Sequence, residues 1–423
     1  MKRFLHFAVI AALICLPATL VFQQAALGQT TTHKPRKAHH AAVHHAVATK
    51  HVAAHRTVHS SSHKATVTRV TYVRMRNGHL RRTVLVRHRS YEHFTGDSFA
   101  ETDLTAADSI AGEDPVVRQA ALEALGNMNG TVVAIDPSNG RILAMVNQKL
   151  ALSSGAEPCS TIKVSVALAA LEEGLITKDT PVRLSGNYHL TLTEALAHSN
   201  NLYFETVGRM LGFDRVRHYA NQFGLGELAG WNIPGEQLGI YPNTVLPESA
   251  GGVGRMCSFG EGVSMTPLQL GALVSAIANG GTLYYLQHPN TPEEAVNFQP
   301  RIKRTLDISR VIPEIAPGMG AAVQYGTARS LRANFDQLPI LGKTGTCSDN
   351  GVRYGWFASF ADTSYGKIAT VVFLEGGRPT FGPKAAELTG VFYRSLWDHS
   401  YFLNAASKPP MDTTRTLSNG VSQ

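Results

Sequence analysis

The run Pro158-Cys159-Ser160-Thr161-Ile162-Lys163 sets a hydroxyl and an amine three residues apart. On a helix that spacing puts both side chains on one face. The proline favours a helix start, so Ser160 is expected in the first turn, ahead of the apolar run from Val164 to Leu171. Burial disfavours the charged form of a lysine, and a neutral Lys163 could take the Ser160 proton as the hydroxyl attacks a carbonyl. The amino end of the helix adds a field that favours the resulting oxyanion. Alone the spacing decides little, because a capping serine followed by a surface lysine has the same pattern.

Two further clusters narrow the reading. His198-Ser199-Asn200-Asn201 carries a hydroxyl and an amide two residues apart and fits a turn between helices. Leu341-Gly342-Lys343-Thr344-Gly345-Thr346 has the small residues expected of a strand edge approached by a ligand backbone, with a lysine and hydroxyls suited to a carboxylate. Each cluster alone is as well explained by a turn, a cap or a loop. Their order along the chain, and the elements around them, make the combination specific.

Those elements come from two ends of one region. A helical segment from Val116 to Leu125 leads into Gly130 to Asp136 and Arg141 to Val146, two β-rich runs around a Pro/Asn/Gly turn. A second hairpin is expected from Tyr354 to Phe360 and Ile368 to Leu374, and a final helix from Ala385 to Trp397. Between the hairpins the patterns at 161–173, 191–211 and 266–279 are helical. Strands at both ends with helices between them imply one mixed sheet closed by distant parts of the chain. With 423 residues and 43% hydrophobic content, the chain can bury a sizeable core.

Residues 1–28 read as a signal peptide or membrane anchor: Lys2 and Arg3 precede an apolar run from Phe4 to Phe22, and Ala26-Leu27-Gly28 offers a cleavage pattern. Residues 29–112 read as a disordered basic linker. Within it, 31–90 hold thirteen Lys or Arg, eleven His and no Asp or Glu, with one short strand allowed at Arg82 to Val86. The remainder holds 24 basic and 31 acidic side chains, a formal −7, so the overall +8 belongs to the linker and gives no reason to expect nucleic-acid binding by the folded part. The expected catalytic region is 113–400, followed by a disordered tail at 401–423.

The ordered motifs resemble the transpeptidase domain of penicillin-binding proteins. Ser160 to Lys163 is similar to that family's first motif, Ser199 to Asn201 to its second, and Lys343 to Gly345 with Thr346 to its third. Val133 to Pro137, Ile142 to Val146, Phe259 to Gly262, Met265 to Leu270 and Ile277 to Gly281 resemble strings of the division and elongation type. The resemblance implies an α+β fold shared with serine β-lactamases: a central antiparallel sheet with helices on both sides and a mostly helical subdomain. It implies catalytic Ser160 as nucleophile, Lys163 as base, and Ser199 with Lys343 returning a proton to departing D-alanine. Asn201 would hold the peptide backbone, and Thr344, Gly345 and Thr346 the substrate's carboxyl end. The backbone N–H groups of Ser160 and Thr346 would form the oxyanion hole.

No metal or organic cofactor is implied. The implied partners are peptidoglycan stem peptides and β-lactams, with anionic envelope polymer attracted to the basic linker, a membrane through the first segment, and no nucleic acid. The implied location is outside the cytoplasm, in the periplasm or on the outer face of the membrane. Against the family pattern, the large non-catalytic N-terminal domain is expected to be absent, and Cys159 stands where many relatives have glycine or alanine. Cys159, Cys257 and Cys347 allow at most one intramolecular disulfide after cleavage, and Cys159 is expected close to Cys347 because Ser160 and Thr346 must face one oxygen. A D,D-carboxypeptidase is the main alternative. A β-lactamase and a penicillin-binding sensor are weaker, and Asn201 with the Phe259 to Gly281 stretch argues against the former.

Overall fold

The computed structural model describes residues 66–74, 80–88, 96–361, 366–377 and 380–406. The expected leader at 1–28 and residues 407–423 lie outside this set. Contacts divide the chain into a unit ending at His88 and a second beginning at Arg89.

In the first unit, Thr66–Arg74 and Leu80–His88 pair antiparallel, from Thr66 opposite His88 to Arg74 opposite Leu80. This corrects the expectation of a linker without structure apart from a short strand. Val and Thr recur along both segments, with Tyr72 in the first, and such residues favour extended backbone even among many arginines.

In the second unit, helix α1 (Pro115–Leu125) begins at Asp114, whose carboxylate accepts from the N–H groups of Val116 and Val117, with Pro115 at the first helical position. Strands β1 (Gly130–Asp136) and β2 (Arg141–Val146) follow as a hairpin. The helical region contributes α2 (Lys163–Glu172), α3 (Leu192–Ala197), α4 (Asn201–Leu211), α5 (Gly252–Phe259), α6 (Pro267–Ala278) and α7 (Ile312–Gln324). The chain then returns to the sheet as β3 (Ile340–Asp349), β4 (Val352–Ala361) and β5 (Ala369–Gly376), and ends with α8 (Gly382–Asp398) and a short helix Tyr401–Ala406.

The five strands lie in the order β2-β1-β5-β4-β3, every neighbouring pair antiparallel. Both faces of the sheet are covered, which is why β1 and β5 read as nearly unbroken apolar runs. Alternation still assigns each residue a face. Val133, Ile135, Val371 and Phe373 join Trp356 and Ala358 under α2 and α6, whereas Val132, Ala134, Val372 and Leu374 join Phe357 under α1 and α8. Helix α6 is buried along its whole length, and its start is fixed by a reciprocal cap between Thr266 and Gln269.

Two boundaries move. The folded region begins before 113: Phe99 bridges to Met128, Asp108 accepts from the N–H groups of Asn147 and Gln148, and Arg118 pairs with Asp108 and Glu113 at 2.8 and 3.0 Å. Acidic and polar residues at 97–113 resemble linker in composition, and only their partners show that they dock. At the other end, the tail expected from 401 starts with a helix whose Phe402 is buried. No described helix is long and apolar enough to cross a membrane.

Candidate active site

Ser160 lies in a single 3₁₀ turn, Cys159–Ile162, rather than in the first α-turn, and α2 begins at Lys163. A 3₁₀ turn eclipses residues three apart, so the two side chains align more closely than on an α-helix. The turn is tied by Thr161, whose N–H and hydroxyl both donate to the Pro158 carbonyl. Cys159 enters it at φ 51°, a left-handed conformation uncommon for a residue with a side chain.

The helical pattern at 191–211 is broken in the middle by the turn that His198 to Asn201 were expected to fit. Helix α3 stops at Ala197, Ser199 takes φ 54°, and Asn200 restarts the chain as α4 by accepting from the Tyr203 N–H at 2.8 Å. The kink turns Ser199 and Asn201 toward Lys163, while Asn200 serves as a cap. Left-handed backbone at both Cys159 and Ser199 is the kind of strain that concentrates at working sites.

Edge strand β3 supplies the third wall. Leu341, Lys343, Gly345 and Cys347 alternate with Gly342, Thr344 and Thr346, so Lys343 points toward α2 while Thr346 accepts from the Gly382 N–H at the start of α8. Gly345 is required by close approach: a Cβ there would meet the Pro158 carbonyl oxygen at 2.8 Å and Thr161 at 3.1 Å. The nucleophile turn therefore packs directly on the strand. Trp356 on β4 adds an indole N–H donated to the Glu157 carbonyl at 3.1 Å.

The polar groups converge. Lys163 Nζ lies 2.8 Å from Ser160 Oγ, 2.9 Å from the Ser199 carbonyl oxygen, 3.2 Å from Ser199 Oγ and 2.6 Å from Asn201 Oδ1. Lys343 Nζ lies 2.8 Å from Ser199 Oγ and donates to the Thr344 carbonyl at 2.9 Å. The Ser199 hydroxyl thus stands between two amines. The carbonyl and amide oxygens can only accept, so they take the two N–H groups of a neutral Lys163 and leave its lone pair for the Ser160 O–H.

Both lysines are fully buried. Burial holds Lys163 well below the ordinary lysine range, the nearby Lys343 lowers it further, and Glu205 opposes the shift. Burial alone pushes Lys343 down to about 7. Two amines around one hydroxyl titrate as a pair.

The structure brings every predicted site residue into one place: Ser160, Lys163, Ser199, Asn201, Lys343, Thr344, Gly345 and Thr346. Cys159 and Cys347 form a disulfide with Cα atoms 5.5 Å apart, and Cys257 is a buried free thiol. Sequence reasoning missed Thr327, whose hydroxyl is 2.6 Å from that of Thr344, and the Trp356 contact. Neither carries a motif. Thr327 follows α7 in Gly326-Thr327-Ala328, which reads as an ordinary helix end. No cluster able to hold a metal occurs among the described residues.

The family described as penicillin binding protein transpeptidase domain matches residues 130–393, more than half of the chain. The chain belongs to this family. Peptidoglycan D,D-transpeptidase MrdA of Acinetobacter baumannii is 25% identical, the match covering 71% of this chain and 54% of that protein. Stage V sporulation protein D of Bacillus subtilis is 31% identical over 51% of this chain and 39% of its own length. The chain thus spans about half the length of such relatives, or less. Among solved structures, Pseudomonas aeruginosa PBP2, crystallised with WCK 5153, superposes with a TM-score of 0.57 at 24% identity, covering 68% of this chain and 74% of that one. PBPA of Mycobacterium tuberculosis gives 0.57 at 23% identity, with 67% and 81% covered. These likenesses support the expected antiparallel α+β fold of penicillin-binding transpeptidase domains.

Proposed function

We propose that this member of the family is a serine D-Ala-D-Ala transpeptidase that cross-links peptidoglycan stem peptides and binds penicillin covalently. The observation that carries the reading is the unbroken line from Ser160 Oγ through Lys163 Nζ and Ser199 Oγ to Lys343 Nζ, each step 2.8 to 3.2 Å. Lys163 takes the Ser160 proton as Oγ attacks the carbonyl of the penultimate D-alanine. The N–H groups of Ser160 and Thr346 receive the oxyanion, a term worth roughly a hundred- to a thousandfold in rate for each such donor. As the tetrahedral species collapses, the proton passes through Ser199 to the departing D-alanine amine, with Lys343 holding that hydroxyl. The amine of a second stem peptide enters by the reverse of the same path and resolves the acyl-enzyme. Asn201 and the outer edge of β3 hold the donor peptide backbone, and Thr344 and Thr346 its terminal carboxylate.

Such chemistry belongs outside the cytoplasm, in agreement with residues 1–28 as an export or anchoring segment. The basic stretch at 31–90 would then hold the enzyme against anionic envelope polymer. The deciding experiment incubates the protein with uncross-linked wall precursor and scores cross-linked dimers against released D-alanine. Dimers that need Ser160 are expected. Release of D-alanine without dimers would make the protein a carboxypeptidase, and rapid penicillin turnover a β-lactamase.

A further inference from the structure

We propose that the Cys159–Cys347 disulfide clamps the oxyanion hole, and that a dithiol opens the clamp and slows acyl transfer. The inference rests on the acyltransferase reading and adds a control to it. The bridge joins the residue before Ser160 to the residue after Thr346, so each oxyanion donor sits one residue from a sulfur atom. It spans 188 residues of sequence and lashes the nucleophile turn to the edge strand where the reacting carbonyl must lie.

Without the bridge, few ties set that separation. The Trp356 indole bond to the Glu157 carbonyl and the packing of Pro158 and Thr161 on Gly345 keep the turn docked, but none of them fixes the distance between the Ser160 and Thr346 N–H groups. The left-handed φ of Cys159 gives the turn a reason to relax once released. The hydrogen bonds that hold Lys163 run to Ser160, Ser199 and Asn201, and none of them passes through either cysteine. Opening the bridge therefore loosens oxyanion binding and leaves the base in place.

Accessibility gives the reaction a direction. Cys159 is fully buried, whereas Cys347 is partly exposed and borders a cavity of about 740 Å³ with Glu157, Arg255 and Tyr354. A thiolate of the reductant attacks Cys347 Sγ, the S–S bond breaks, and its electron pair leaves on Cys159 Sγ, which takes up a proton. The second thiol of the reductant then displaces Cys347 as a thiol. The protein gains two electrons and two protons, and the dithiol ends as a disulfide.

The test uses the full chain with a chromogenic cephalosporin, splitting acylation into a binding constant and a rate constant. The oxidised protein, the protein opened by dithiothreitol, the reoxidised protein and a Cys159→Gly/Cys347→Ser variant are compared well below their melting temperatures, with bridge state read by mass spectrometry. Opening is expected to lower the rate constant about tenfold, part of what a lost oxyanion donor costs. Little change is expected in the binding constant, with full recovery on reoxidation. Affinity for a boronic acid, whose tetrahedral adduct uses the same donors, should fall in parallel. A lower melting temperature with an unchanged rate constant overturns the clamp and leaves a structural staple. A bridge that dithiothreitol cannot open in the native protein overturns the control. Absence of acylation in the oxidised protein overturns the acyltransferase reading itself.

Discussion

The two faces of the sheet bury comparable layers and do different work. Under α1 and α8 the layer is apolar, with Val132, Val372, Leu374, Phe357 and Phe392 among its members, and the buried hydroxyls of Ser359 and Thr370 meet that of Tyr393. Under α2 and α6 the layer is also apolar, but at the β3 edge it admits Lys163 and Lys343. Burying an ionisable group without a countercharge costs stability, and here that cost makes both amines give up a proton more readily than an ordinary lysine, Lys343 at about 7. One face therefore supplies stability, and the other gives up some of it for reactivity.

The comparison breaks most sharply at the nucleophile. Ser160→Ala should abolish covalent penicillin labelling while shifting the melting temperature little, because the hydroxyl is small and half-buried. Lys163→Ala should lower the acylation rate by about a thousandfold, within the range for removing a general base. Labelling that survives Ser160→Ala, or near-normal acylation of the lysine variant at pH 7, would remove the assignment from this face.

On the other face the reverse is expected. Phe392 is fully buried, and Phe392→Ala should cost about 3 to 5 kcal/mol of stability by urea denaturation. The variant that remains folded should still acylate at a rate within about threefold of the parent, because Ser160, Lys163, Ser199 and Lys343 lie away from that layer, and Thr346 meets α8 at its first residue, Gly382, well before Phe392. A hundredfold loss in folded protein would show that the two faces are coupled.

A smaller effect is expected from pH. Acylation needs Lys163 neutral, and burial with the adjacent Lys343 holds it well below the usual lysine range. The acylation rate should therefore rise with pH and level off below the pH at which an ordinary lysine loses its proton. The apparent pKa belongs to the lysine pair rather than to one residue. A rate still climbing above pH 10 would show that Lys163 keeps its ordinary proton affinity and is not poised as the base.

Legibility followed the same division. The three motifs could be read in the sequence because chemistry restricts residue type at Ser160, Lys163, Ser199, Asn201 and Lys343. The hairpins could be read because both faces of β1 and β5 demand apolar residues. What escaped was geometry that many residue types satisfy. The turn between helices at His198 to Asn201 was legible, but the left-handed backbone of Ser199, which is not glycine, was not, and Thr327 meets Thr344 only after α7 has been placed. The docking of 96–112 escaped because its partners, Arg118 and the β2 end at Asn147, are remote in sequence. Cys159 and Cys347 were placed together because the oxyanion argument works on distance, which survives without knowledge of side-chain direction.

The smallest expected effect is on stability, at Lys343. Its folded-state pKa is pushed down to about 7, against an ordinary value of 10.5. Between those values the unfolded chain binds the proton and the folded chain does not, so stability rises with pH across that window and the burial penalty is largest below it. Lys163 acts in the same direction, so the parent protein carries the slope of two groups. Lys343→Met keeps the length and apolar stem while removing the charge, and leaves the Ser199 hydroxyl its Lys163 neighbour. The variant should lose acyl transfer, gain stability at pH 6, and show a shallower rise in urea midpoint between pH 7 and 10. An unchanged slope would mean that Lys343 stays protonated in the folded protein, and it would then act as a fixed cation beside Ser199.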